Sequence, residues 1–142
     1  WWKDTGRPED LLEANDRVLE TLPASEFVVA GTVAKGARVG ERVRLGRGSY
    51  VGAGARIDGP TVIGSDVRVD GAARIGPGTA IGDRCLIRGA SVRRAIVMEG
   101  SEIDGPIDVA DSIIGRSARI HAEGKGRGPI SCILGDSTQV RL

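Results

Sequence analysis

Few side chains in this sequence have the type and spacing to carry chemistry. His121 is the only histidine, so it is the only ordinary candidate for a general base near neutral pH. It follows Ile120 at the edge of a polar, glycine-rich stretch. Cys85 and Cys132 lie far apart, form no metal-ligand spacing and, with one histidine, leave a zinc site short of ligands. They read as small buried thiols in a reducing compartment. The GxG strings at Gly46 to Gly48, Gly52 to Gly54 and Gly76 to Gly78 have the composition of a phosphate loop, but they fall on the corners of a repeat. Asp4, Thr5 and Gly6, taken alone, read as a turn ahead of a helix.

Composition narrows the function further. Lys plus Arg number 20 against 19 Asp plus Glu, and a net charge of +1 gives no bulk electrostatic reason to expect nucleic acid or a membrane surface as partner. No run of about 18 apolar residues is available to cross a bilayer, and Trp1 to Gly6 lacks the layout of a secretion signal. The expectation is a soluble, cytoplasmic chain with one core, and its start on two tryptophans suggests a fragment of something longer. Glycine, at 22 of 142 residues, is roughly twice its usual ~7%, while Phe and Tyr number one each. A core of small aliphatics with many tight corners is implied.

The elements that must position these groups follow a period of six. Val33, Val39, Leu45, Val51, Ile57, Ile63, Val69, Ile75, Ile81 and Ile87 recur at an unbroken six-residue spacing. The residue after each is Gly, Ala or Asp, suited to a corner, with Arg88 the single departure. Four residues after each aliphatic stands a small or β-branched residue, and the position between the two inward ones is outward, as in Ala55, Arg56, Ile57. Each hexad is one short strand and one corner. A six-residue unit cannot bury its face alone, so the units wind into a coil of stacked parallel strands with three sides per turn. Beyond Ile87 the spacing stutters through Val92, Val97, Ile103, Val109, Ile114 and Ile120, which predicts shortened sides. His121 to Pro129 then breaks the pattern before Leu134, and a loop thrown outward is expected at about 121–133.

With three hexads per turn, residues eighteen apart lie above one another at roughly 4.8 Å. Arg38, Arg56 and Arg74 then form one outward column, whose repulsion calls for acids, a phosphate or a partner chain. Arg44, Val62 and Ala80 form a second column and Tyr50, Arg68 and Leu86 a third, either of which could supply an apolar patch for self-association. Ahead of the coil, Pro8, Glu9 and Asp10 begin an amphipathic helix over 8–21 that carries Leu11, Leu12, Asn15, Val18, Leu19 and Leu22 mostly along one stripe. That stripe must pack on the coil or on an upstream domain.

The stretch WWKDTGRPEDLLEAN resembles the end of the catalytic domain of glucose-1-phosphate thymidylyltransferases of the long form, which are sugar-1-phosphate nucleotidyltransferases; IVMEGSEI and ILGDSTQV resemble their hexad tails. The resemblance implies a mainly β fold, a left-handed parallel β-helix with one N-terminal helix. It implies residues 1–24 as the tail of a catalytic domain and 25–142 as the coil, regular over 33–92 and less regular over 93–142. It also implies that Asp4 is one of two carboxylates holding a catalytic Mg²⁺, which neutralises and orients the phosphates in such a transfer. The nucleotide loop, the second aspartate and the sugar-binding residues have no counterpart here. The fragment is therefore expected to be inactive, needing no cofactor and meeting nucleotide and sugar phosphate only through the absent domain. Its expected role is a homo-oligomerising or regulatory arm. Hexad coils also resemble trimeric acyltransferases that use acetyl-CoA with a histidine base, and His121 is the only candidate for that role.

Overall fold

From Leu45 to Ile87 every sixth-residue aliphatic is at most 4% exposed, and strand register explains why. The computed structural model describes residues 7–142. One face of the coil is a seven-stranded parallel sheet of β1 (Thr32–Val33), β4 (Tyr50–Val51), β7 (Arg68–Asp70), β10 (Leu86–Arg88), β12 (Glu102–Asp104), β14 (Arg119–His121) and β17 (Gln139–Arg141). A second face stacks β2 (Arg38–Val39), β5 (Arg56–Ile57) and β8 (Arg74–Ile75). A third stacks β3 (Val43–Leu45), β6 (Thr61–Ile63) and β9 (Thr79–Ile81). β11 (Ser91–Val97) and β13 (Ile107–Ile114) run through the corner and serve both of these faces. β15 (Arg127–Ile130) and β16 (Ile133–Leu134) complete them. The whole is a left-handed parallel β-solenoid of about six turns with one N-terminal helix.

Each face contributes one column of aliphatics to the interior. Leu45, Ile63, Ile81, Val97, Ile114 and Leu134 stack in register on the third face. Val51, Val69, Ile87, Ile103, Ile120 and Val140 do so on the first. Small hydroxyl residues at the other inward position fasten the corners: Ser49 Oγ donates to Gly64 O at 2.7 Å and accepts from Val67 N–H, and Ser101 Oγ donates to Gly115 O at 2.6 Å. Such bonds satisfy the carbonyls that a turning backbone cannot pair in a ladder.

Turn length follows the stutter in the sequence. Successive first-face registers advance by eighteen residues up to Leu86, then by sixteen, seventeen and twenty. Of the three five-residue intervals, Ile87 to Val92 turns at Gly89 between β10 and β11, while Val92 to Val97 and Val109 to Ile114 are corners where β11 and β13 bend without breaking, with Arg94 and Asp111 at φ of 43° and 50°. In the regular turns the same corner uses Gly76, at φ 90°, where a Cβ would run into the Asp58 carbonyl.

The stretch 121–133 is only partly the loop its composition predicts. Arg127 pairs with Ile107 and Ile130 with Val109, with a register shift between them. The exposed edge of β13 offers N–H and C=O groups that the returning chain satisfies, and Pro129, with no N–H to give, falls where the register slips. Glycine and proline thus conceal a strand.

Ile75 is fully buried in the middle of the second-face column. Ile75→Asp would remove its packing, worth about 2–5 kcal/mol, and bury a carboxylate without a partner. The expected outcome is loss of the cooperative thermal transition in far-UV circular dichroism, whereas Ile75→Val should lower stability by only about 1 kcal/mol.

Candidate functional site

The N-terminal helix α1 (Pro8–Thr21) does not lie free; it is laid along the corner between the second and third faces. Its length of about 21 Å at ~1.5 Å per residue spans roughly four coil levels of ~4.8 Å. Leu12 and Leu19, 3% and 0% exposed, are its anchors. Two arginines from the coil fix its position. Arg42 Nη2 donates to the carbonyls of Leu19, Glu20 and Leu22 at 2.8, 3.2 and 3.3 Å, and its guanidinium stands 4.4 Å from the Phe27 ring centroid. The helix has no basic residue in its last turn, so Arg42 supplies the cation its carbonyl end lacks. Higher up, Arg94 Nε donates to Asp16 and Nη1 to Asp111, both at 2.9 Å. These bonds, Asp111 first, push the Arg94 pKa further up.

The rotation of the helix follows from its two edges. At about 100° per residue, Glu9, Glu13, Asp16 and Glu20 fall on one side of the Leu12–Leu19 line and Leu11, Val18 and Leu22 on the other. Asp16 and Glu20 line a cleft of about 340 Å³ with Pro60, Pro77, Arg93 and Arg94, so this half of the acidic edge turns to the second face and its arginines, while Glu9 and Glu13 border another cleft with Ser131, Cys132 and Ile133. The apolar edge, with Leu11 39% and Val18 53% exposed, turns to the third. The stripe expected to pack on coil or upstream domain is therefore only half used by the coil.

The columns read from the sequence are present. Arg38, Arg56 and Arg74 are register partners on the second face. Arg56 Nε bonds Asp58 at 3.0 Å, and among the described residues Arg38 and Arg74 have no carboxylate at ion-pair distance. On the first face the Arg68 guanidinium sits 5.3 Å over the Tyr50 ring and bonds Asp70, so charge interrupts that column. On the third face the column continues from Val62 and Ala80 through Ile96, Ile113 and Ile133. Its part from Arg44 to Ile96 lies in a shallow groove of about 640 Å³ that also takes in Met98, whereas Ile113 is buried and Ile133 exposed.

His121 ends β14 and is half-exposed. Its Nδ1 lies 3.5 Å from Asp104 and its Nε2 3.2 Å from Glu123, so both ring nitrogens face carboxylates rather than an open cleft. It belongs to a ladder one residue past the inward column, in which Asp70, Arg88, Asp104, His121 and Arg141 succeed one another. Arg88, the one departure from the corner pattern, makes a two-pronged bond to Asp104 at 3.1 and 3.1 Å. That pairing holds the Asp104 carboxyl below the usual carboxylate range. The hexad count did not point to this ladder beyond Arg88, because its later steps are sixteen, seventeen and twenty residues rather than eighteen.

Cys85 is buried and Cys132 half-buried; burial pushes both thiols up, as inert core cysteines require. No group of three His, Cys, Asp or Glu among the described residues could hold a metal ion, and Asp4 lies outside the described residues. No described helix is long and apolar enough to cross a membrane.

Residues 57–142 match the family model described as GMPPB C-terminal domain. Across its whole length the chain is 43% identical to the low-salt glycan biosynthesis nucleotidyltransferase Agl11 of Haloferax volcanii. It is 35% and 32% identical to glucose-1-phosphate thymidylyltransferases of Streptomyces antibioticus and Streptomyces griseus, again over its whole length. It spans 39%, 38% and 39% of those three proteins. Among solved structures, a mutant perosamine N-acetyltransferase from Caulobacter crescentus, with CoA and GDP-perosamine, superposes with a TM-score of 0.60. That likeness, at 23% identity over 80% of this chain and 50% of the other, is one of fold.

Removing the Arg42 guanidinium while keeping its stem, as in Arg42→Met, should cost about 1 kcal/mol and raise amide exchange at residues 16–22 by several-fold while the coil stays protected. Asp104 titrates lower when folded than the ordinary value near 3.9, so its contribution is complete above that value and lost as pH falls through the depressed one. Thermal melts between about pH 5 and 2 should therefore show a shallower acid decline for Asp104→Asn than for the unaltered chain.

Proposed function

Since the chain belongs to the family of GMPPB C-terminal domains, we propose that it is the β-helix arm of a sugar-1-phosphate nucleotidyltransferase, one that assembles and orients catalytic domains. Residues 1–24 are then the tail of the catalytic domain and residues 25–142 the arm. The parent reaction is the transfer of a nucleotidyl group from dTTP to glucose 1-phosphate, giving dTDP-glucose and pyrophosphate. The observation that carries this reading is full-length similarity to three nucleotidyltransferases, each two to three times longer than this chain.

In that reaction a sugar phosphate oxygen attacks the α-phosphorus and pyrophosphate leaves. Mg²⁺ bound in the parent neutralises the phosphate charge. Asp4 would be one of its ligands; the described residues offer no further donor set. The task of this chain's own residues is mechanical. The helix joins whatever precedes residue 7 to the coil, and Arg42 and Arg94 hold it at one angle to the solenoid axis. A catalytic domain fixed to that helix inherits its orientation from the corner.

The acyltransferase alternative requires His121 to present a free nitrogen to a substrate amine. Its two nitrogens face Asp104 and Glu123, which favours the structural role.

The reading is tested on the chain and on its longer parent. The chain alone should release no pyrophosphate from dTTP and glucose 1-phosphate with Mg²⁺ and no thiol from acetyl-CoA, and it should self-associate in sedimentation. The longer polypeptide should release pyrophosphate. Acetyl-CoA turnover that disappears in His121→Ala would replace this reading with the acyltransferase.

A further inference from the structure

Each strand level of the second face shows two outward positions, one residue before and one residue after the buried aliphatic. Register stacks three such pairs above one another: Arg56 with Asp58, then Arg74 with Gly76, then Ser91 with Arg93. The carboxylates below and above are taken. Asp58 accepts from Arg56 Nε at 3.0 Å, and Asp108, the register partner of Ser91, accepts from Arg93 Nη1 at 2.8 and 3.0 Å. Those bonds leave Nε and Nη2 of Arg93 free among the described residues, and Arg74 keeps its whole fork.

Gly76 has no side chain, so bare backbone lies between these two arginines, with the half-buried Ser91 beside it. Arg74 and Arg93 are one level and two residues apart, about 8 Å between Cα positions at ~4.8 Å per level and ~3.3 Å per residue. Two guanidinium forks at that separation can grip one tetrahedral oxyanion. A longer polyanion laid along the column would run into Asp58 or Asp108, so the spot selects a single phosphate.

Arg93 also lines the cleft between α1 and the corner, which continues from this spot. Its walls include Leu19, Pro60 and Pro77, and the exposed Glu20 stands at its rim. At about 340 Å³ it is at the small end of the ~300–1,000 Å³ typical of ligand sites. Aliphatic walls suit the C–H face of a saturated ring, while a carboxylate accepts from hydroxyls and repels a second phosphate. We propose that this junction binds a hexose phosphate, the phosphate on Arg74 and Arg93 and the sugar in the cleft against Pro77, with hydroxyls donating to Glu20. The site needs only the helix and the coil, so it stands apart from the arm reading. A ligand seated there touches both elements and tightens the seating of the helix.

Isothermal titration of the 142-residue chain with glucose 1-phosphate and glucose 6-phosphate, up to about 20 mM, tests it. One-to-one binding of at least one of them at about 1 mM is expected, with inorganic phosphate at least ~fivefold weaker and glucose silent. At saturation, amide exchange at residues 16–22 should slow several-fold. Arg74→Gln should weaken hexose phosphate and inorganic phosphate alike by about tenfold, and Glu20→Gln the hexose phosphate alone. Arg38→Gln, two levels below Arg74, should weaken neither. Inorganic phosphate binding as tightly as the hexose phosphates, or an equal loss in Arg38→Gln, would mean an anion held by diffuse charge and overturns the site. So does the absence of any titration with either hexose phosphate. Each of these failures leaves the arm reading, which is tested by assembly and pyrophosphate release, untouched.

Discussion

Everything in this molecule depends on one constraint: a strand of two or three residues can satisfy its backbone only by pairing with the turns above and below. Thr32 N–H reaches the Ser49 carbonyl, Tyr50 N–H that of Val67 and Arg68 N–H that of Cys85, level after level. The inward aliphatic of each strand sits on its equivalents, so hydrogen bonding and burial impose the same register. A residue inserted or lost anywhere but at a corner would turn an aliphatic outward. Length changes are accordingly found at corners: the three shortened ones at Gly89, Arg94 and Asp111, and the lengthened last turn around residues 122–126.

The corner at Arg94 and Asp111 also shows how an irregularity becomes a fixture. In two of the regular turns that corner is glycine and proline, Gly59-Pro60 and Gly76-Pro77-Gly78, and there the helix meets a backbone carbonyl, as Asn15 meets that of Gly78 at 3.4 Å. Where the corner shortens it carries two charged residues in left-handed conformation, and one of them reaches across to Asp16. With Arg42 bonding the last carbonyls, the helix is held through its C-terminal half, from Asp16 to Leu22, by two guanidinium groups. Arginine suits both positions, since its fork can serve several acceptors from one fixed plane.

The candidate groups are placed by the repeat of the scaffold. The arginine column is a consequence of stacking identical hexads. His121 is a rung in a ladder that follows Asp70, Arg88 and Asp104 and ends on Arg141, and the cysteines are partly or fully buried. What the surface does offer is direction, an acidic helix edge toward the basic second face and an apolar edge toward the aliphatic third.

The interior, the three-sided winding and the columns at eighteen-residue intervals were legible from Val33 to Ile87, because burial on a repeating backbone writes its period directly into the sequence. The helix from Pro8 was legible for the same reason. The strand at Arg127–Ile130 was not, since local composition opposes it and only the open edge of β13 recruits it. Nor was the bond from Arg88 to Asp104, or the seating of the helix on one particular corner with one particular edge toward each face. Those depend on turns of sixteen and seventeen residues and on which groups the closed coil brings within reach. Periodicity fixes what lies inside a solenoid; its outer contacts are decided by how far each turn departs from the period.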